Sequence, residues 1–169
     1  PSQLREDMCS TESNPLLGVD ARCGLLQSLG AALVAEPTVF ERGGSSRPGH
    51  LYDHLVDLSE DGRLPAREIL ISVLLFFGRI WPGACQIEGQ WIGDIATHPL
   101  INAGENNNGG WVPFHKLSQW LSYSLIEPLR EAGIKVVDPN ALTGLAEYRN
   151  GGLLMDTGAV TLRDPQQLN

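Results

Sequence analysis

The stretch LTGLAEYRNGGLLMD, residues 142–156, sets Glu147, Tyr148, Arg149 and Asn150 side by side between an apolar run and a glycine pair. A surface loop has little use for the flanking Leu142, Leu145, Leu153, Leu154 and Met155. A buried segment has little use for Glu and Arg unless each is paired or used, since an unpaired charge in an apolar interior is strongly disfavoured. The stretch therefore reads as a strand or loop at the wall of a pocket. There a carboxylate can orient or deprotonate water, and a cation can hold an anionic group. A plainer alternative stays open: Glu147 and Arg149, two apart on a strand, point the same way and can simply neutralise each other.

The segment VPFHKLSQWLSYSLIEPLREAG, 112–133, supplies the other candidate groups. Its spacing predicts a helix with Pro113 near its start, a kink or restart at Pro128, and Gly133 as its close. On a helical wheel Phe114, Leu117, Trp120, Leu121 and Leu125 share one side, with Lys116, Gln119 and Tyr123 roughly opposite. Between Leu117 and Leu129 only Glu127 is charged, too little for a solvated face. The helix is expected to be enclosed nearly all round, so His115, Lys116 and Gln119 need partners. Lys116 either faces a ligand or closes a structural ion pair. His115 also reads as a satisfied core histidine.

The remaining elements must position these two segments. Residues 1–13 are a polar leader without periodicity, and NPLLG at 14–18 is a turn or short apolar contact. DARCGLLQSLGAALVAEP, 20–37, predicts a helix with Asp20 as N-cap, Pro37 as stop, and Leu25, Leu29, Ala32 and Leu33 inward. ERGGSSRPG, 41–49, is a loop, and HLYDHLVDLSEDG, 50–62, has helical spacing and ends on Gly62. LPAREILISVLLFFGRIW, 64–81, has proline in its first turn and becomes almost wholly apolar, as a central helix would. PGACQIEGQWIGD, 82–94, has the alternation and glycines of a hairpin or extended loop, with Asp94 starting the turn into IATHP. AGENNNGG, 103–110, is a flexible connection. KVVD, 135–138, and GLLMD, 152–156, read as short strands, with Asp156 as a turn cap. Residues 14–169 are thus expected to form one mainly α (α+β) domain with a small β element.

Length and charge narrow the partners. At 169 residues the chain suits a single domain, one that buries about two-thirds of its unfolded surface. A net charge of −8 argues against tracking along nucleic acid, which needs a basic stripe. An anionic small molecule stays compatible with a few local cations. ILISVLLFF, 69–77, is about half the length of a membrane span, and no cleavable signal peptide precedes the domain. The expected setting is cytoplasmic, with no membrane partner. Cys9, Cys23 and Cys85 lie far apart without CxxC or matching histidine spacing, as reduced thiols would rather than a disulfide frame or zinc site. Asp94 and His98 lie four apart, but Pro99 and the lack of a third ligand argue against a metal site. The start at Pro1 and the end in DPQQLN read as part of a longer protein.

VPFHKLSQWLSYSLIEPL followed by LTGLAEYRNGGLLMDTG resembles the C-terminal signature of the uracil catabolism protein 4 family. NPLLG, the WPG at 81–83 and IGDIATHP at 92–99 match further, so the resemblance covers about residues 14 to 165. It implies a part in uracil catabolism, a pyrimidine degradation route, and the N-terminal part of the same protein as a partner. A more distant similarity links the two motifs to the queuosine salvage proteins, which resemble helical DNA glycosylases in fold and cleave an N-glycosidic bond of a nucleoside monophosphate. Lys116, Gln119, Tyr148 and Arg149 match that family's motifs in type, and Glu147 stands where it has an aspartate. His115, Asn150, Gly151 and Gly152 depart from them, so the leaving group should differ.

Together the resemblances imply a helical, DNA-glycosylase-like bundle and an N-glycosyl hydrolase acting on a small nucleotide-like substrate such as a ribosyl-urea phosphate. Breaking a ribosyl C–N bond builds positive charge on the sugar. Glu147 would stabilise that charge or activate water. Lys116, with Arg149, would hold a 5′-phosphate. Gln119, Asn150 and Tyr123 would bond sugar hydroxyls or a urea-like group, Tyr148 or Trp81 would close the apolar side, and His115 would line the site. This chemistry requires no metal and no organic cofactor. The competing expectation is a non-catalytic nucleotide-binding or scaffold subunit of the uracil-degradation pathway, whose pocket binds without turnover.

Overall fold

The computed structural model describes residues 1–97, 110–145 and 148–164, with the side chains of 148–150 left outside the description. The chain begins with α1 (Ser2–Asp7), which buries no residue, followed by α2 (Val19–Ala35) and the single turn α3 (Pro37–Phe40). A hairpin of β1 (Glu41–Arg42) and β2 (Ser45–Ser46) leads through a 3-10 turn at Pro48–His50 into α4 (Leu51–Asp57). Strand β3 (Arg63–Pro65) runs straight into α5 (Ala66–Phe77). A second hairpin, β4 (Gln86–Ile87) with β5 (Gln90–Trp91), precedes β6 (Ala96–Thr97), which pairs antiparallel with β7 (Trp111–Val112). The chain continues as α6 (Lys116–Glu131), β8 (Lys135–Val137), a 3-10 turn at Pro139–Ala141, and α7 (Tyr148–Asp156). The molecule is mainly α with a small β element, and among the described residues no helix is long and apolar enough to cross a membrane.

Helix α5 explains the centre. Ala66, Ile69, Val73 and Phe77 recur at helical spacing and are all buried, a stripe that must find cover. Phe40, fully buried, stacks on Phe77 at 5.4 Å between ring centroids and meets Phe76 edge-on at 5.7 Å. The β3–β8 pair is parallel, with Leu64 opposite Val136. Both are buried, as strands of a parallel pair covered by helices should be. Helix α6 packs along α5 and ends in a Schellman turn: Ile134 N donates to Leu129 O, and Gly133 N to Arg130 O, each at 3.0 Å. Gly133 takes φ +96°, which that turn demands, and the apolar pair that accompanies the motif, Leu129 and Ile134, is buried. The three cysteines are free.

Several boundaries differ from the sequence pattern. Asp20 lies inside the first turn of α2 rather than capping it; Gly18 holds the N-cap position. Helix α4 stops at Asp57, and Gly62 instead offers its carbonyl to Lys135 N at the start of β8. Leu64 and Pro65 are strand because pairing with β8 outweighs helix initiation there. The 41–49 stretch carries the β1–β2 hairpin, and α6 continues through Pro128 without a restart. Of AGENNNGG only Gly110 lies within the described residues.

Two departures matter more. Residues 152–156 belong to helix α7, not to a strand. Leu153, Leu154 and Met155 are consecutive, and a short apolar run cannot separate helix from strand by periodicity. The buried face of α6 is Ser118, Gln119, Ser122, Ile126 and Leu129. Phe114, Leu117 and Trp120, expected inside, are 60%, 40% and 49% exposed, so the helix is not enclosed all round. Serine hydroxyls account for the reversal. Ser122 donates to Ser118 O at 2.8 Å, leaving small, satisfied side chains that can face the interior.

Phe40→Ala should therefore lower stability by about 3–5 kcal/mol, whereas Trp120→Ala should cost about 1 kcal/mol or less. Urea midpoints at unchanged slope measure both. Equal losses at the two positions would restore the fully enclosed α6.

Candidate functional site

A helix leaves its first amide N–H groups without intrahelical partners, and a side chain before the helix usually takes them. Before α6 the sequence reads Val-Pro-Phe-His, which offers no Ser, Thr, Asp or Asn. His115 holds the N-cap position with φ 46° and makes no side-chain cap. The missing cap arrives from another part of the chain. Asp94 accepts from Leu117 N at 2.5 Å and from Ser118 N at 3.2 Å, the two amides an N-cap side chain would serve. Its backbone carbonyl accepts from His115 N at 3.2 Å. The carboxylate also lies where the helix dipole favours negative charge.

Fully buried Ser118 extends this clamp. Its hydroxyl donates to Asp94 at 2.5 Å and accepts from Trp81 Nε1 at 3.0 Å. Trp81, which the sequence reading placed as an apolar wall, thus spends its one donor on this relay and keeps its ring faces free for packing. Gly93 lets the loop come close enough. It takes φ +79°, and a Cβ there would lie 2.9 Å from Leu74 Cδ2 and 3.2 Å from His115 Nδ1. Asp94 thus occupies the amides of Leu117 and Ser118.

The same turn of α6 carries two unsatisfied atoms. Gln119 is 4% exposed and its Oε1 has no hydrogen-bond partner among the described residues. His115 Nδ1 is likewise buried and unpartnered, 3.9 Å from Asp94 Oδ1, beyond hydrogen-bond reach. The satisfied core histidine expected from the sequence is not what the structure shows. Each such group costs about 1–3 kcal/mol when left unmade, and Gln119 Oε1, an acceptor, calls for an N–H or O–H.

The other candidates distribute as follows. Lys116 opens α6 and is half-buried. Tyr123 donates its hydroxyl to Thr143 O at 3.2 Å, which ties the middle of α6 to the beginning of the 142–156 motif. Tyr148, Arg149 and Asn150 form the first turn of α7, so the strand alternation expected for Arg149 does not apply there; their side chains lie outside the description. Glu147 lies outside the described residues, as does His98. Gly151 and Gly152 sit within α7, and Asp156 is its exposed last residue. Among the described residues no three His, Cys, Asp or Glu side chains gather to hold a metal. Asp94 is the residue that sequence reasoning missed. The signal was present, as a strong helix with no capping residue of its own.

Asp94→Ala should cost about 1–2 kcal/mol, the range for a lost cap, and Asp94→Asn should cost less, since the amide oxygen still accepts. Urea unfolding gives the totals. Amide exchange should quicken first at Leu117 and Ser118, and exchange unchanged at those two would contradict the clamp.

Comparison with known proteins places the chain in a family. The family model described as protein of unknown function, DUF1688, matches residues 1–169. Uracil catabolism protein 4 of Lachancea kluyveri is 37% identical over 164 residues, covering 91% of this chain and 37% of that protein. Protein urg3 of Schizosaccharomyces pombe is 38% identical over 155 residues, covering 90% of this chain and 35% of that protein. The chain thus spans a little over a third of the length of these relatives. No solved structure matches it. With the family model matching from the first residue to the last, and two relatives agreeing over nine-tenths of the chain, this protein belongs to the DUF1688 family, as its resemblance to uracil catabolism protein 4 implied.

Proposed function

We propose that the protein acts in uracil catabolism by hydrolysing the N-ribosyl bond of a small ribosyl-phosphate intermediate, such as a ribosyl-urea phosphate. The pathway follows the names of the relatives, uracil catabolism protein 4 above all. The bond type follows the distant resemblance to queuosine salvage proteins. The observation that carries the reading is the buried Gln119 carbonyl, without a partner among the described residues and three residues from Lys116 on the first turn of α6. An acceptor in a dry site beside an ammonium group suits a ligand with N–H donors at one end and a phosphate at the other.

In this reading Lys116, aided by Arg149, holds the 5′-phosphate, and Gln119 accepts from the ureido N–H. Asn150 and the Tyr123 oxygen bond sugar hydroxyls, while Tyr148 and the ring of Trp81 limit the apolar side and His115 lines the wall. Glu147 stabilises the positive charge that grows at C1′ and takes a proton from the attacking water. The water oxygen bonds to C1′ as the C1′–N bond breaks, and the leaving nitrogen gains a proton, giving urea and ribose 5-phosphate. The mechanism needs Glu147 and Lys116 in one cavity. The Tyr123–Thr143 hydrogen bond joins α6 to the start of the segment that carries Glu147.

Full-length protein incubated with ribosyl-urea phosphate, with uridine monophosphate in parallel, should release urea from the first. Glu147→Gln should lower turnover by about two to three orders of magnitude, and Lys116→Ala should chiefly raise KM. Tight binding of both compounds without release of urea or base would overturn the hydrolase in favour of a binding or scaffold subunit.

A further inference from the structure

Three adjoining depressions form one apolar groove over α2, α5 and α6. The middle one, about 290 Å³, is walled by Leu25, Leu26, Leu29, Trp81, Leu121 and Leu125 among others. Leu25 and Trp81 are shared with a second, about 300 Å³, which ends at Arg79. Leu51 and Leu125 are shared with a third, about 160 Å³, which ends at Tyr52.

Helix α2 forms one bank, and its sequence is not that of a solvated helix. From Cys23 to Ala35 it carries no charged residue. Leu25, Leu29, Ala32 and Leu33 turn to the core, yet Leu26 and Val34 on other sides are 54% and 70% exposed. Apart from Gln27 and Ser28 that run has no polar side chain, a composition that suits an interior. The space above it is open: a methyl group added at Gly24 or Gly30 would meet nothing within 4 Å. A contiguous apolar surface of this kind marks a contact site.

The relatives indicate what covers it. These residues correspond to 37% and 35% of the length of two related proteins, so the larger part of such a polypeptide lies outside them. We propose that the α2–α6 groove is the seat of a segment from the remaining part of the full-length polypeptide, an apolar helix or extended stretch that packs across Leu26 and Trp81 and completes the core. The contact is intramolecular, and the groove is a domain interior seen with one layer removed. Its chemistry is that of an interior: the occupant should present Leu, Ile, Val or Phe to α2 and carry an acidic or carbonyl group where the groove ends at Arg79.

Photo-crosslinking in the full-length protein tests this. With Leu26→p-benzoylphenylalanine, irradiation should leave the protein at monomer mass. Peptide mapping should then join position 26 to a segment outside residues 1–169 of the same chain. A dimer-mass product, an adduct with a small molecule, or no crosslink would each overturn the proposal. Leu26→Asp in the same full-length protein guards against a poorly folded probe. It should raise the binding of a hydrophobic dye several-fold over wild type, because the displaced segment uncovers the groove. Wild type binding as much dye as Leu26→Asp would mean an open groove and contradict the assignment. Neither readout depends on turnover, so the proposed hydrolysis can fail without deciding this question.

Discussion

The start of α6 depends on one carboxylate delivered from 23 residues earlier in the chain. Asp94 satisfies amides that Val-Pro-Phe-His cannot, and Ser118 and Trp81 hold that carboxylate in turn. A cap supplied at such a distance does two things at once. It begins the helix, and it pins the loop after β5 to the end of α5 and the first turn of α6. Gly93 is part of the same device, since any larger residue would press on Leu74 and His115. The buried network is nearly complete: Ser118 has both donor and acceptor filled, and Leu117 and Ser118 share the two carboxylate oxygens. The atoms it leaves over are Gln119 Oε1 and His115 Nδ1. Interiors seldom leave such atoms without a partner, be it protein, water or ligand.

Much of the fold is legible in the sequence because backbone chemistry punctuates it. Pro37 and Gly133 end helices, Gly89 turns the hairpin of 86–91, and the apolar stripe of α5 announces the core. The failures share a cause, which is that pattern weighs side chains singly. A hydrophobicity pattern counts Ser118 and Ser122 as polar and sends them outward. Paired with Asp94 and with a backbone carbonyl, they are satisfied and go in. Trp120 and Leu117 go out in exchange. The role of Asp94 was hidden for the same reason: its partners lie far off in sequence, and local reading could offer only a turn. The strand assigned to 152–156 failed on ambiguity, since three consecutive apolar residues fit either structure.

The candidate site was legible as residue types and only in part as geometry. Gln119 Oε1 is buried and has no hydrogen-bond partner among the described residues, and Tyr123 joins the helix to the 142–156 motif. Tyr123 and Trp81 are already engaged as donors, to Thr143 O and Ser118 Oγ. Asp94 neutralises the start of α6, and under the proposed function the anion is left to Lys116 and Arg149. In α2, Leu26 and Val34 are exposed apolar side chains, the surface on which the proposed groove contact rests.

The most direct measurement is a crystal structure of the full-length Glu147→Gln protein with ribosyl-urea phosphate bound. The account predicts a ureido nitrogen about 3 Å from Gln119 Oε1, the phosphate beside Lys116, and the Asp94 clamp intact. A ligand bound elsewhere, with Gln119 Oε1 hydrogen-bonded to another part of the protein, would contradict it.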